Sequence, residues 1–244
     1  MFREDSRPPS MRKLYRVVVR GTLKSTLPEW KSAFGYQKSL TNYVMRVETS
    51  NRWKIVVGKL ILSINVSLDG FADHTVAVAA DDEMHEFYSR LLDTTALALM
   101  GRRTYELMAD YWPHAHEDPA ITPGVLDFAV KYNAVRKIVF SRTLSSVDWT
   151  NTTIVRNNVI ETVSALKSQT EGDISIGGIS LAQECMRNLL VDEYYLAVHP
   201  IIAGTGRLLF DQRKEPIHLR LVDTEVFSSG VVVLHYLSAN DDLL

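Results

Sequence analysis

From residue 59 onward, the apolar residues follow two different patterns along the chain. Short apolar runs that end at turn residues predict buried β-strands at 59–68, 96–100, 137–140, 173–176 and 194–202. Between most of these runs, apolar residues recur every three or four positions, which predicts amphipathic helices. Strands that alternate with helices indicate an α/β fold around a largely parallel sheet.

Residues that suit helix termini mark the ends of the helices. A helix is predicted over 81–93, because its apolar residues form one stripe. The negative charges of Asp81 and Asp82 are stabilising at the N-terminus of a helix. Thr122 and Pro123 open another helix, as a cap followed by proline at the first position. A third helix is predicted over 104–111, and capping boxes are predicted at Asn158 with Glu161 and at Ser180 with Gln183.

The C-terminal region breaks the strand–helix alternation. Residues 218–226 and 230–237 predict two strands joined by a short turn, which is an antiparallel hairpin. The sheet is therefore predicted to be mixed, although most of it is parallel. We predict that residues 59–240 form one domain and that residues 1–58 are a separate appendage.

Composition narrows the class of protein. The 244 residues are 46% hydrophobic and 23% charged, which is typical of a globular domain and excludes collagenous and disulfide-rich chains. Cys185 is the single cysteine, so no internal disulfide can form, and a reducing compartment such as the cytoplasm is the simplest location. No apolar run is long enough to predict a membrane-spanning helix.

Charge is divided unevenly along the chain. Residues 1–59 contain 13 Lys and Arg against 4 Asp and Glu, whereas the remainder is acidic. A basic segment can bind nucleic acid, but this one has no ordered motif of the known classes, so nucleic acid is not a favoured partner. A mitochondrial-type presequence is a second explanation. We favour a third, in which residues 1–58 are poorly ordered or translated from upstream of the true start.

Three segments follow predicted strands and suit an anion. They are Gly101–Thr104, Ser141–Arg142 and Gly177–Ser180. Glycines let a phosphate approach the backbone, helix starts supply free N–H groups, and arginines supply charge. Ligands of open α/β sheets bind at the carboxyl ends of the strands, where these segments are predicted to lie. Together they predict a site for a phosphorylated nucleotide.

These segments also carry a family resemblance. The sequence from Gly101 to Glu106 is similar to the Gly-Arg-x-Thr-Tyr-Glu signature of dihydrofolate reductases. Ser67–Gly70 and the stretches 190–194 and 199–206 resemble the C-terminal reductase domain of the bacterial riboflavin-biosynthesis deaminase–reductase. The resemblance covers residues 59–238. It implies a three-layer α/β/α dihydrofolate reductase-like fold and a homodimer.

The resemblance implies an NADPH-dependent reductase. Gly101, Arg102, Arg103 and Thr104 would bind the phosphates, and the arginines with Ser141 and Arg142 would favour the 2′-phosphate. The pyrophosphate would lie against Gly177, Gly178, Ile179, Ser180 and Leu181. The substrate would be a pteridine- or pyrimidine-like heterocycle, as in 5-amino-6-(5-phosphoribosylamino)uracil reductase or dihydrofolate reductase. A non-catalytic nucleotide- or drug-binding module on the same fold is the alternative.

Candidate substrate groups follow the first strand. Asp69 is the first candidate for a proton donor and substrate contact, and Glu83 and Glu86 on the next helix are others. The riboflavin reductase domain has Lys and Ala where this chain has Ser63 and Asn65. A polar Asn65 inside a buried strand must be hydrogen-bonded, and substrate is one candidate partner. A cleft filled by Trp112 or Tyr105 would favour the binding module. His114 and His116 are not expected to bind a metal.

Overall fold

The computed structural model describes residues 45–47, 53–55, 58–72, 81–210 and 215–239. Its contacts divide the chain into two units, Met1–Val57 and Gly58–Leu244. In the first unit, Met45–Val47 and Trp53–Ile55 pair as antiparallel strands. Most of residues 1–58 lie outside the described residues, so the proposal of an appendage or an over-extended start stays a prediction.

An eight-stranded sheet forms the centre of the second unit. Its strands are β1 Leu60–Ser67, β2 Thr95–Gly101, β3 Arg136–Phe140, β4 Thr152–Val155, β5 Asp173–Gly177, β6 Glu193–His199, β7 Leu219–Val226 and β8 Val232–Ser238. The spatial order is β4-β3-β2-β5-β1-β6-β8-β7. Among these strands, β8 is antiparallel to both of its neighbours, β6 and β7, and all other neighbouring pairs are parallel. The predicted mixed, mostly parallel sheet with a C-terminal hairpin is confirmed.

Helices cover both faces of this sheet. They are α1 Asp82–Leu92, α2 Arg102–Tyr111, α3 Pro123–Ala134, α4 Val159–Gln169 and α5 Ile179–Arg187, with a 3-10 helix at Trp112–Glu117. Alternate residues of β2 enter different cores, which places the helices on opposite faces. Leu99 packs in the core that contains α4 and α5 residues, whereas Met100 packs with Tyr105 of α2. The three-layer α/β/α architecture is confirmed. Within the described residues, no helix is long and apolar enough to cross a bilayer.

Several predicted boundaries were wrong. Strand β4 was not predicted, because this edge strand is only partly buried and has a weak apolar pattern. Strand β6 ends at His199 and does not reach residue 202, since the chain turns at Pro200. Helix α2 begins at Arg102 directly after β2, two residues before the predicted start. No loop therefore separates Gly101 from this helix.

The two predicted capping boxes do not form. Asn158 does precede α4, but it is left-handed (φ 56°) and its side chain makes no capping hydrogen bond. Helix α5 begins at Ile179, one residue before the predicted cap, and Gly178 occupies the N-cap position. The Ser180 hydroxyl instead accepts a hydrogen bond from Arg207 Nη2 at 3.0 Å. Both helices therefore lack the side-chain cap that the spacing predicted.

Candidate active site

The three predicted anion segments lie at one edge of the sheet. Strands β3, β2 and β5 are neighbours and run parallel, and Gly101 pairs with Phe140 while Met100 pairs with Gly177. The carboxyl ends of these strands therefore meet at the same level. This edge brings together the segments that begin at Gly101, Ser141 and Gly177.

Gly178 and Thr104 are in close contact across this edge. A Cβ added to Gly178 would lie 2.5 Å from Thr104 Oγ1, and the Gly178 φ of +94° is one that side chains rarely adopt. At Gly101, in contrast, an added Cβ would meet no atom within 4 Å. The two glycine-containing segments, Gly101–Thr104 and Gly177–Gly178, are here called the glycine cradle. Its backbone is open beside Gly101 and tightly packed at Gly178.

Two helices begin in the glycine cradle without a side-chain cap. The N-cap residues are Gly101 for α2 and Gly178 for α5, and neither can supply a capping oxygen. The first N–H groups of both helices can therefore bind an external anion, which the helix dipoles also favour. Arg102 and Arg103 are exposed in the first turn of α2. These features fit the phosphates of a dinucleotide.

The Ser141–Arg142 segment joins the glycine cradle through Arg102. Arg102 Nη1 donates to Thr143 Oγ1 at 3.1 Å, and Ser141 Oγ accepts from the Leu144 N–H at 2.9 Å. Arg156, which belongs to no sequence motif, donates to the Leu144 carbonyl at 2.9 Å. An adjacent cavity of about 530 Å³ is lined by Phe140–Arg142, Val155–Glu161, Glu184 and Asn188.

Asp69 connects the end of β1 to the loop after β6. Its carboxylate accepts from Ser67 Oγ at 2.7 Å and from the N–H groups of Ala203 and Gly204 at 3.0 and 2.8 Å. The Ser67 hydroxyl and these two N–H groups lower the pKa of Asp69 to about 2. A carboxylate that stays ionised and accepts three hydrogen bonds is suited to holding this loop in place. It carries no proton to donate near neutral pH. The role of Asp69 in catalysis stays a prediction.

Replacing Asp69 with asparagine is expected to weaken this connection in a pH-dependent way. The folded-state pKa lies below the unfolded value of 3.8, so the ionised side chain stabilises the fold above that pH. The wild-type melting temperature should exceed that of Asp69→Asn at pH 7, and the difference should shrink as the pH falls from 4 to 2. Asp110→Asn, at an exposed position of α2, is the control. A difference that persists at pH 2 would contradict this role.

A second polar group lies on the α1-facing side of β1. Asn65 Oδ1 accepts from Tyr88 Oη at 2.9 Å and is 3.1 Å from His199 Nε2. Burial lowers the pKa of His199, against an opposing effect of Asp81, and raises the pKa of Tyr88. Both side chains are therefore uncharged near neutral pH. Two protein groups are therefore within hydrogen-bonding distance of the Asn65 oxygen. Substrate had been one expected hydrogen-bond partner of this side chain.

Comparison with known proteins identifies the family. The sequence profile of the RibD C-terminal domain matches residues 58–233. This chain belongs to the RibD C-terminal domain family. The uncharacterized protein YyaP of Bacillus subtilis is 33% identical to it over 183 residues, which cover 73% of this chain and 94% of YyaP.

Solved structures share the fold of this RibD C-terminal domain. A pyrimidine reductase-like protein from Corynebacterium diphtheriae superposes with a TM-score of 0.54 at 15% identity, covering 75% of this chain and 93% of that protein. Dihydrofolate reductase from Enterococcus faecalis, complexed with NADP(H), gives a TM-score of 0.51 at 16% identity and covers 75% and 98%. The fold therefore confirms the predicted resemblance to dihydrofolate reductases and to the reductase domain of riboflavin biosynthesis.

The acidic residues of α1 do not face the sheet in this RibD C-terminal domain. Glu83 accepts hydrogen bonds from the backbone and side chain of Ser228, and Glu86 lies beside Gly124 of α3. Tyr88, one of the apolar-stripe residues of α1, packs on the sheet side of the helix with Met84 and Phe87 and reaches Asn65 of β1. No acidic residue of α1 hydrogen-bonds to Asn65 among the residues described.

Other side chains named from the sequence make their contacts with groups other than Asn65 and Asp69. Tyr105 is buried beneath α2, where its hydroxyl accepts from the Asp148 N–H at 3.0 Å, and Trp112 packs on Phe128 with ring centroids 4.5 Å apart. Leu181 is buried in the core, so only its backbone can contribute to an anion site. In the described part of the chain, His114 and His116 belong to no cluster that could hold a metal ion.

Proposed function

We propose that this protein is an NADPH-dependent reductase that transfers a hydride to a pteridine- or pyrimidine-like heterocycle. The glycine cradle carries the proposal, because it combines open backbone, two uncapped helix starts and two exposed arginines at one sheet edge. Membership of the RibD C-terminal domain family supports an oxidoreductase. The dihydrofolate reductase of similar fold was solved with NADP(H), which supports the choice of cofactor.

Three parts of the cofactor, namely the pyrophosphate, the 2′-phosphate and the adenosine end, would each bind a different group of residues. Gly101–Thr104 and Gly177–Leu181 would bind the phosphates through backbone N–H groups. Arg102, Arg103, Ser141 and Arg142 would bind the 2′-phosphate that distinguishes NADPH from NADH. The cavity beside Ser141 would admit the adenosine end. NADPH supplies the hydride when it is bound, and the protein orients the reactants.

The substrate would bind on the side of β1 that faces α1. Asn65 is the proposed substrate contact, and Asp69 holds the adjoining loop in place. The pyrimidine reductase-like protein of similar fold supports a pyrimidine-type ring, as used in riboflavin biosynthesis. We also propose that the protein is a cytoplasmic homodimer. The location rests on the single cysteine, and the homodimer rests on the resemblance to the reductase family.

Removing both arginines tests the cofactor assignment. Charge-assisted hydrogen bonds contribute about 1.5–3 kcal/mol each, so Arg102→Ala with Arg103→Ala should weaken NADPH binding by roughly 10-fold or more. NADH lacks the 2′-phosphate, so its affinity should change by less than about threefold. Calorimetric titration of both cofactors gives the two ratios. Arg136→Ala, at the opposite edge of the sheet, is the control, and equal losses for NADPH and NADH would remove the 2′-phosphate role.

A further inference from the structure

Arg207 reaches the glycine cradle from the β6 side. It lies in the loop of residues 200–210 that follows β6, and its Nη2 donates a hydrogen bond to Ser180 Oγ at 3.0 Å. Ser180 is the second residue of α5, which begins in the glycine cradle. In the sheet, β5 and β1 lie between β6 and β2, so the arginines that follow β2 approach from the other side. Arginines therefore flank the glycine cradle on two sides.

The backbone around Arg207 is fixed without using its side chain. The Arg207 carbonyl accepts from the Ala72 N–H at 2.8 Å, and the Leu209 N–H donates to the Gly70 carbonyl at 3.0 Å. Leu209 is fully buried, and Gln183 of α5 donates to its carbonyl at 3.3 Å. The exposed guanidinium is therefore held beside α5 by contacts that remain when the side chain is replaced.

The charge of Arg207 is unfavourable at this position unless an anion binds there. A helix N-terminus carries partial positive charge and favours acidic residues. Helices α1 and α4 have Asp82, Glu83 and Glu161 in their first turns, whereas α2 and α5 have no acidic residue there. Within the described part of the chain, Arg207 forms no salt bridge, and the Ser180 hydroxyl that it contacts is uncharged. An anionic group between α2 and α5 would remove this electrostatic conflict.

We propose that Arg207 binds the phosphate on the nicotinamide side of the pyrophosphate and thereby fixes the direction in which the dinucleotide lies across the sheet. This inference rests on the proposed function and adds a cofactor-binding residue to it. The cavity proposed for the adenosine end is lined by Ser141 and Arg142, which follow β3. Since β6 lies on the other side of the glycine cradle, the phosphate nearest Arg207 is the one farther from adenosine. A guanidinium can donate two hydrogen bonds to one phosphate.

Two halves of the cofactor test this assignment on the full chain. Nicotinamide mononucleotide contains the nicotinamide-side phosphate, whereas 2′,5′-ADP contains the adenosine-side phosphate and the 2′-phosphate. Arg207→Ala should weaken binding of nicotinamide mononucleotide by about tenfold, because it removes charge-assisted hydrogen bonds. The affinity for 2′,5′-ADP should change by less than about threefold, since solvent and salt screen the more distant charge. NMR titration measures both affinities.

The intact cofactors distinguish Arg207 from the arginines of α2. NADPH and NADH share the nicotinamide-side phosphate, so Arg207→Ala should weaken both by the same factor, about tenfold. Arg102→Ala with Arg103→Ala is expected to weaken mainly NADPH. Calorimetric titration of each variant with both cofactors gives the two ratios.

Arg207→Gln is a second variant, and Arg220→Ala is the matched control. Glutamine can still donate to Ser180 but has no charge, so it should also weaken NADPH and NADH equally. Arg220 is an exposed arginine of β7, and its replacement should leave both affinities unchanged. Thermal melts of all variants show whether each one is folded.

The outcomes separate this inference from the proposed function. If neither NADPH nor NADH binds the wild-type chain, both proposals fall. If the cofactors bind and Arg207→Ala leaves their affinities unchanged, or weakens 2′,5′-ADP and not nicotinamide mononucleotide, only the role of Arg207 is overturned. If nicotinamide mononucleotide alone does not bind the wild-type chain, an equal loss of NADPH and NADH supports the role, and a loss confined to NADPH overturns it. If Arg207→Ala does not fold, unchanged cofactor affinity in Arg207→Gln overturns it.

Discussion

Replacing Gly178 with alanine is expected to abolish measurable NADPH binding and to lower the free energy of unfolding by about 1–3 kcal/mol. The new Cβ would lie 2.5 Å from Thr104 Oγ1, and the backbone φ of +94° is strained for any residue with a side chain. Thr104 and the start of α5 must then move apart. That movement disrupts the glycine cradle, where we place the pyrophosphate.

Gly172→Ala is the matched control for this variant. Gly172 precedes β5 as Gly178 follows it, and it also has a positive φ, +109°, with atoms 3.1 Å from an added Cβ. The substitution should destabilise the fold by a similar amount but leave NADPH affinity unchanged, because it lies at the opposite sheet edge. Thermal melts and calorimetric titration measure the two effects. Unchanged NADPH affinity in Gly178→Ala would contradict the position of the cofactor.

A second large effect is expected from Lys137, a buried lysine of β3. Burial lowers its pKa from 10.5 to about 8. Between these values the unfolded chain binds more protons than the folded one, so stability rises with pH. Relative to Lys137→Met, the wild-type free energy of unfolding should increase by up to roughly 3 kcal/mol from pH 7 to pH 10.5, at about 1.4 kcal/mol per pKa unit.

The surroundings of Lys137 limit this increase. Its ammonium lies 4.4 Å from the centroid of the Trp149 ring and donates to the Val135 carbonyl at 2.8 Å. Both contacts favour the charged form, so the change should not exceed the stated value. Denaturant unfolding of both proteins across this pH range measures it. A constant difference between them would show that the Lys137 pKa is not lowered.

The central strands were predictable because burial on both faces gives continuous apolar runs. Strands β1, β2, β3 and β5 all match predicted runs to within one or two residues. Strand β4 is at an edge and only partly buried, so hydrophobic patterning did not reveal it. Capping boxes failed because glycine and left-handed conformations also begin helices, which residue spacing cannot distinguish.

The site was predictable where sequence motifs fall at the ends of adjacent strands. The glycines and arginines of the glycine cradle follow β2 and β5 directly, so parallel pairing brings them together. Tyr88 and His199 were not predicted as site residues, because each lies in a segment whose apolar pattern alone indicated core. Their contact with Asn65 depends on the packing of α1 over β1 and β6, a feature of tertiary structure.

Titration of the full chain with NADPH and with NADH tests the central claim most directly. The glycine cradle and its arginines predict NADPH binding in the micromolar range and NADH binding at least about tenfold weaker, since the 2′-phosphate contributes charge-assisted hydrogen bonds. Absence of binding by either cofactor would contradict the claim and leave the glycines as tight turns between strand and helix.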